Sequence, residues 1–254
     1  MRPLSARILE VREETPEAKT LRFDLNLDPA PGQYAMVWIR GVDEIPMSFS
    51  GPAEITVHSV GEATKALADK QAGETVGLRG PLGNGFVLRG DRILLVGGGV
   101  GVAPLAFLGE IAKRAGIAIT TLVGFRSASD ALFLERFERL GRTVITTDDG
   151  SLGIRGFVSA GLNELDLKEF SQIYLCGPEL MMQDIIQRAG EEAGRVQASI
   201  NRHFKCALGI CGSCCLDPDG LRVCVEGPVV MADRLMEPEF GRYRRNASGS
   251  KERC

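Results

Sequence analysis

The sequence predicts a multi-domain protein that combines a small antiparallel β-barrel, an α/β domain with a parallel sheet, and a short cysteine-rich module. Three observations predict this order. Short strand patterns without long helices fill residues 1–90, strands and helices alternate over residues 91–200, and five of the seven cysteines fall between Cys206 and Cys224. We therefore expect domains at 1–90 and 91–200, a cysteine module at 201–236 and a flexible tail at 237–254.

The composition sets limits on function. The 254 residues are 44% hydrophobic and 25% charged, which is ordinary for globular domains. A net charge of −3 disfavours nucleic acid as the main partner. The amino end lacks the apolar core of a signal peptide, and glycines interrupt the uncharged run Ile93–Gly109, which disfavours a membrane span. We expect a cytoplasmic protein with reduced thiols.

Residues 1–90 show the strand and turn patterns of a barrel. Turns such as Pro-Gly and Ala-Gly separate short alternating segments, and Glu62–Lys70 is the one predicted helix. The predicted strands are Ser5–Val11, Lys19–Leu25, Tyr34–Ile39, Ile55–Val60 and Thr75–Arg79.

Three polar segments of the barrel are candidate ligand sites, and each has a simpler interpretation. Ile45–Ser50 places two serines at alternate positions, which share one face of a strand but are commonly solvent-facing. Gly61–Thr64 opens the helix, where backbone N–H groups either bind a phosphate or are capped by the threonine. Gly80–Phe86 is a rigid turn whose glycines allow close approach of a flat ligand, although turn chemistry alone also explains it.

A glycine turn dominates the α/β region. The buried strand Ile93–Val96 runs into Gly97–Pro104, and Pro104 suits the first turn of the following helix. Such a turn lets backbone N–H groups and a helix N-terminus meet a pyrophosphate, although it is not a regular G-x-G-x-x-G. Further strands are predicted at Ala118–Phe125, Thr143–Thr147, Gln172–Leu175 and Arg195–Ile200, with helices at Ala131–Leu140 and Pro178–Glu192.

Two other segments follow predicted strands of this sheet. Cys176-Gly177-Pro178 lies at the carboxyl edge, where ligands of open α/β folds bind, although a lone cysteine is commonly a buried small hydrophobe. Thr146–Ser151 is polar and can be an ordinary turn.

The cysteine module has the spacing C-x4-C-x2-C-x9-C over Cys206, Cys211, Cys214 and Cys224. The first part is the spacing of plant-type [2Fe-2S] proteins, and Gly209 and Gly212 suit a loop that needs positive φ. Structural zinc usually shows C-x2-C pairs on both sides, and a disulfide framework is not needed in a chain of this length. A Rieske centre needs two nearby histidines, but only His58 and His203 exist. The spacing does not assign Cys215 or Cys254.

The order of these motifs resembles the ferredoxin–NADP reductase superfamily. Within it the chain is most similar to the electron-transfer subunits of B-type, NAD-dependent dihydroorotate dehydrogenases, and the resemblance extends to about Leu235. The segments that carry it are Gly80–Phe86, Gly97–Leu105, Thr147–Ser151, Cys176–Pro178 and the cysteine loop.

The resemblance implies three cofactor sites. It implies FAD at Pro46, Met47, Ser48, Val57, His58, Ala63, Thr64, Gly80 and Gly83. It implies NAD at Gly97, Gly98, Gly99, Gly101, Pro104, Cys176, Gly177 and Pro178. It also implies a [2Fe-2S] cluster on Cys206, Cys211, Cys214 and Cys224.

This chain departs from the family pattern at three positions. Ile45 stands where the family has an arginine that neutralises the FAD diphosphate, so backbone N–H groups near Ala63 and Thr64 are the expected substitute. Asn201 and Phe204 replace a glutamate and a methionine before the first cysteine, and neither is a cluster ligand.

The resemblance also implies a partner. An FMN-containing catalytic subunit, with two copies of each chain in the complex, would oxidise dihydroorotate, and the electrons would pass through the cluster and FAD to NAD. No residue of this chain suggests the base for that oxidation. Two alternatives stay open: a small subunit of another NAD(P)H-dependent ferredoxin or sulfide oxidoreductase, and a zinc-containing nucleotide-binding regulatory module. The sequence does not separate NAD from NADP.

Overall fold

A computed structural model of the chain describes residues 2–236, 239–246 and 248–254. Its first part is a closed antiparallel barrel in the order β1-β2-β5-β4-β3-β6, which confirms the predicted architecture. Alternating apolar side chains such as Ile8, Leu21 and Val37 fill the barrel because strands turn every second residue inward. The elements are β1 (Leu4–Thr15), β2 (Ala18–Phe23), β3 (Tyr34–Ile39), β4 (Asp43–Gly51), β5 (Glu54–His58), α1 (Glu62–Ala68) and β6 (Thr75–Leu82).

The strand β4 contains the predicted serine pair. An irregularity in its pairing with β5 lies between Phe49 and Gly51, so the simple alternation of faces does not continue to the end of the strand. Ser50 is fully buried and accepts a hydrogen bond from Thr56 Oγ1 at 2.9 Å. Of the two serines, Ser48 is the one that stays partly accessible.

The second part is a seven-stranded sheet in the order β10-β9-β8-β7-β11-β12-β15, where β15 is the later strand Val229–Met231, and all pairs are parallel except β12–β15. The predicted parallel-sheet domain is confirmed. Its elements are β7 (Arg92–Gly98), α2 (Val102–Arg114), β8 (Ala118–Phe125), α3 (Leu134–Leu140), β9 (Arg142–Thr147), β10 (Ile154–Arg155), β11 (Gln172–Cys176), α4 (Glu179–Ala189) and β12 (Val196–Ser199).

This strand order fixes where a ligand binds. The chain passes from β7 outward through β8 and β9 to β10, and then returns to β11 on the other side of β7. A crevice therefore opens at the carboxyl ends of β7 and β11, at the topological switch point of the sheet. Within the described residues, no helix is long and apolar enough to cross a membrane.

The cysteine module packs onto both preceding parts. Its elements are β13 (Cys215–Leu216), β14 (Leu221–Arg222), the short helix α5 (Val223–Glu226) and β15 (Val229–Met231). The strand β15 joins the edge of the large sheet, where Val229 and Val230 are buried.

The segment 237–254, which the sequence predicts to be a flexible tail, contains regular structure among its described residues. The described residues of this segment form a hairpin of β16 (Tyr243–Arg245) and β17 (Lys251–Arg253). Glu239 is completely buried and forms an ion pair with the buried Arg202 at 3.1 Å. Long-range ion pairing anchors the segment, and the sequence offers no local signal for such a contact.

Candidate functional site

Three of the four spaced cysteines lie in one tightly turned loop, and the fourth, Cys224, lies on the short helix α5 that follows β14. Cys214 and Cys224 are 2% exposed, Cys206 is partly buried and Cys211 is at the surface. Gly209 and Gly212 both have φ near +73°, which confirms the predicted need for glycine at these turns. Ala207 has φ of +53°, an uncommon conformation for a residue with a side chain. The backbone therefore turns tightly between Cys206 and Cys214.

The electrostatics of this loop suit bound thiolates. Burial alone raises the pKa of Cys206, but backbone N–H groups of Leu208, Cys211 and Ile210 donate to its sulfur and bring the pKa to about 6. Burial raises the pKa of Cys214 to about 12, and the thiols of Cys224 and Cys211 add to that effect. Thiolates in one another's field need a cationic centre to compensate them.

The donor set fits an iron–sulfur cluster, whose thiolates are shared between two irons. Among the part of the chain that the structure describes, no three Cys, His, Asp or Glu side chains form the compact group that holds a single metal ion. Cys206, Cys211, Cys214 and Cys224 are the residues present to hold a cluster.

Two barrel side chains reach into the cysteine loop. Tyr34 Oη donates a hydrogen bond to the carbonyl oxygen of Cys224 at 2.9 Å, and its ring packs 4.9 Å from that of Phe204. Arg79 Nη1 donates to the carbonyl oxygen of Cys206 at 3.1 Å. Sequence reasoning missed both residues because their partners are far away in the chain. The barrel therefore holds the first and the last of the four cysteines by their backbone.

The Gly80–Phe86 turn also lies at the boundary between the barrel and the cysteine module. A Cβ at Gly83 would lie 2.5 Å from the carbonyl oxygen of Gly227, and Asn84 Nδ2 donates to the carbonyl oxygen of Glu226 at 3.1 Å. A Cβ at Gly80 would meet the backbone of Tyr34 at 3.1 Å. Protein contacts thus require glycine at Gly83 and leave little room for a side chain at Gly80, and the contact of both residues with a flavin stays a prediction.

The predicted flavin residues follow the outside of the barrel. Pro46, Met47 and Ser48 on β4 are partly exposed, and β4 pairs with β5, which carries His58. Val57 is fully buried, so the structure does not bring it to the surface with the other residues, and its contact with a flavin stays a prediction. This partly apolar strip with one hydroxyl fits the ring of a flavin.

The groups near the predicted FAD diphosphate have other partners in the protein. His58 Nε2 lies 3.0 Å from Glu17 Oε2. Thr64 Oγ1 accepts hydrogen bonds from the backbone N–H groups of Val60 and Gly61, so the threonine caps α1. Ala63 is partly exposed beside it.

The glycine turn after β7 packs directly on the segment after β11. A Cβ at Gly101 would lie 2.6 Å from both the Cys176 carbonyl oxygen and Gly177 Cα, and one at Gly98 would lie 2.5 Å from Met181 Sδ. Gly99 has φ of +52°, and no protein atom lies within 4 Å of a Cβ built there. Gly97 and Pro104 are buried beneath the turn, and Pro178 is exposed at its rim.

These features fit a dinucleotide at the switch point. Gly99 and Val100 present open backbone before the 13-residue helix α2, whose first turn contains no acidic residue. Burial raises the pKa of the Cys176 thiol to about 12, so it is a neutral group at the wall of the crevice.

The same edge of the sheet carries exposed groups that sequence reasoning did not assign. Phe157, after β10, is 74% exposed. Arg126 follows β8 and Asp148 follows β9, both at the surface. Asp149 Oδ1 accepts hydrogen bonds from the backbone and the hydroxyl of Ser151, as in an ordinary turn. An aromatic residue at the ligand-binding edge of the sheet is the signal by which Phe157 could have been found.

Comparisons with known proteins agree with this geometry. Residues 201–236 match the model of the iron-sulfur cluster binding domain of dihydroorotate dehydrogenase B, and residues 95–187 match the oxidoreductase NAD-binding domain. A Methanocella arvoryzae protein named "probable dihydroorotate dehydrogenase B (NAD(+)), electron transfer subunit" is 52% identical over 99% of both chains. A Methanocaldococcus jannaschii protein of the same name is 46% identical over 98% of both.

A solved structure adds to the comparison. The chain is similar to one from a structure of the NADH-dependent reduced ferredoxin-NADP oxidoreductase, with a TM-score of 0.81 and 27% identity over 90% of this chain and 88% of that one.

Proposed function

The chain belongs to the family of electron transfer subunits of NAD-dependent dihydroorotate dehydrogenase B, and on this premise we propose that it carries electrons between a catalytic partner and NAD. Electrons from the oxidation of dihydroorotate to orotate, on an FMN-containing partner, pass through a [2Fe-2S] cluster and FAD to NAD+. The reaction serves the synthesis of pyrimidine nucleotides, and we place the complex in the cytoplasm with two copies of each chain.

One observation carries this proposal: the cysteine loop is built directly onto the barrel. Tyr34 and Arg79 bond the carbonyl oxygens of Cys224 and Cys206. Asn84, just after β6, donates a hydrogen bond to the carbonyl oxygen of Glu226 in the cysteine module. The pairing of β15 with β12 joins the module to the nucleotide-binding sheet. Three sites joined by direct contacts suit electron transfer, which needs fixed distances between its centres.

Each site has a chemical role. A nicotinamide exchanges two electrons as a hydride, a [2Fe-2S] cluster exchanges one, and a flavin does both. We assign the cluster to Cys206, Cys211, Cys214 and Cys224. The flavin is assigned to the strip Pro46–Ser48 with His58, and NAD to Gly97–Gly101 with Cys176–Pro178, where Phe157 offers a face for the adenine.

The test is an anaerobic visible spectrum with iron and zinc analysis of the chain co-expressed with a candidate FMN partner. We expect flavin absorbance, about two irons per chain and bleaching on addition of NADH. Dihydroorotate-dependent reduction of NAD+ identifies the partner. Zinc without flavin would contradict the proposal and favour a regulatory module that binds nucleotides.

A second candidate is the small subunit of another NAD(P)H-dependent ferredoxin oxidoreductase. The structural similarity to the NADH-dependent reduced ferredoxin-NADP oxidoreductase favours it. Affinity capture of the full chain separates the two candidates, because the first predicts recovery of an FMN protein with dihydroorotate turnover. Capture of a different redox protein, without such turnover, supports the second.

A further inference from the structure

Arg79 is a buried cation at the boundary between barrel and cysteine loop. The residue lies on β6 and its side chain is 7% exposed. Its Nε and Nη2 atoms donate to Glu44 Oε1 at 3.0 Å and Oε2 at 2.8 Å, and its Nη1 atom donates to the carbonyl oxygen of Cys206 at 3.1 Å. One edge of the guanidinium therefore faces its carboxylate, and the other faces the cysteine loop.

The pair Arg79–Glu44 does not present equal charges to the loop. Glu44 is 27% exposed, so water screens its carboxylate more than it screens the buried guanidinium. The hydrogen bonds to Glu44 are the main reason why the pKa of Arg79 lies above its ordinary value, and the negative charge of the Cys206 thiolate adds to the effect. Arg79 thus acts on the loop as a net positive charge in a region of low dielectric.

We infer that Arg79 raises the reduction potential of the cluster held by Cys206 and its three companions. A one-electron-reduced cluster carries one more negative charge than the oxidised cluster, so a buried cation at a ligand's carbonyl stabilises the reduced form more. Net charge, hydrogen bonding and solvent exposure are the known controls of such potentials. The inference rests on the proposed cluster, and it makes Arg79 a positioning and tuning residue that does not react itself.

The experiment is an anaerobic redox titration of the purified full chain, followed by the electron paramagnetic resonance signal of the cluster. Arg79→Gln is expected to shift the equilibrium toward the oxidised cluster at least tenfold, which is about 59 mV for one electron. Glu44→Gln is expected to shift it in the opposite direction, and the double variant to lie between the two.

Arg12 offers a matched control on the same barrel. Its Nη1 and Nη2 atoms donate to Glu54 Oε1 and Oε2, each at 2.9 Å, and it also pairs with Glu10 and Glu14 of the barrel. Arg12→Gln is expected to change the equilibrium constant between oxidised and reduced cluster by less than twofold.

Two results would overturn the inference. One is an Arg79→Gln protein with full iron content and an unchanged potential. The other is a shift of both single variants in the same direction, which indicates loosening of the loop. If the Arg79→Gln protein loses its cluster, the Glu44→Gln variant alone tests the inference. A reduction potential of Glu44→Gln that is unchanged or lower than that of the wild type contradicts it. Wild-type protein without iron would instead contradict the proposed function.

Discussion

The adjacent residues Cys214 and Cys215 show how the fold separates two chemically identical side chains. Cys214 is 2% exposed and lies in the field of Cys224 and Cys211. Cys215 begins β13 and is partly exposed, with the charged groups of Arg245, Arg222 and Glu226 among its neighbours. The sequence spacing favours Cys214, and the surroundings of the two thiols support the same choice.

Substitution of each cysteine in turn tests this assignment. Cys214→Ser is expected to lose most of the iron and of the cluster's visible absorbance, because a serine hydroxyl is a poor substitute for the thiolate ligand. Cys215→Ser is the control and is expected to keep both. Equal loss in the two variants would show that the assignment is wrong.

At the scale of elements, the glycine turn depends on close backbone contact with the segment after β11. Gly101→Ala places a methyl group 2.6 Å from the Cys176 carbonyl oxygen, so the turn must move away. Displacing the backbone that would face the pyrophosphate in the proposed nucleotide site is expected to raise KM for NADH about tenfold or more. Steady-state kinetics of NADH oxidation with an artificial dye measure this change.

Gly116 provides the control at the other end of α2. It has φ of +76°, and no atom lies within 4 Å of a Cβ built there. Gly116→Ala is expected to cost about 1 kcal/mol of unfolding free energy through backbone strain, with KM for NADH unchanged. A similar KM in both alanine variants would mean that the Gly101 contact does not shape the nucleotide site.

The carboxyl-terminal segment depends on one buried ion pair. Arg202 and Glu239 are 1% and 0% exposed, and Glu179 also pairs with Arg202 at 2.7 Å. Glu239→Gln removes one of the two charges that compensate the guanidinium, and it is expected to cost about 2 kcal/mol of unfolding free energy in a urea titration. Glu135→Gln breaks an exposed pair with Arg139 and is expected to cost only about 0.3 kcal/mol. Equal costs would show that burial does not matter here.

Across the whole molecule, the sequence was sufficient where structure depends on neighbouring residues. The apolar run Tyr34–Ile39 predicts β3, and the glycine turn after Ile93–Val96 predicts the ligand edge, because apolar runs and glycine content are local properties. Contacts between distant segments leave no such pattern. Tyr34 and Cys224 are 190 residues apart, and Glu239, one of the two partners of Arg202, lies in the segment that the sequence predicts to be a flexible tail. The junction that organises the site therefore appears only in three dimensions.

The order of the proposed cofactors leads to a prediction for the complete complex. The proposed sites for NAD and FAD lie within residues 1–200, whereas the cysteine loop follows them in the chain and packs against the barrel. Removal of the iron from the complex with a chelator under anaerobic conditions is therefore expected to abolish dihydroorotate-dependent reduction of NAD+. NADH is expected still to reduce an artificial dye through the flavin. Both rates are measured on the same sample, and reconstitution with iron and sulfide restores the first. If the two activities fall in parallel, the cluster is required for flavin reduction or for the fold, and this linear order of centres is wrong.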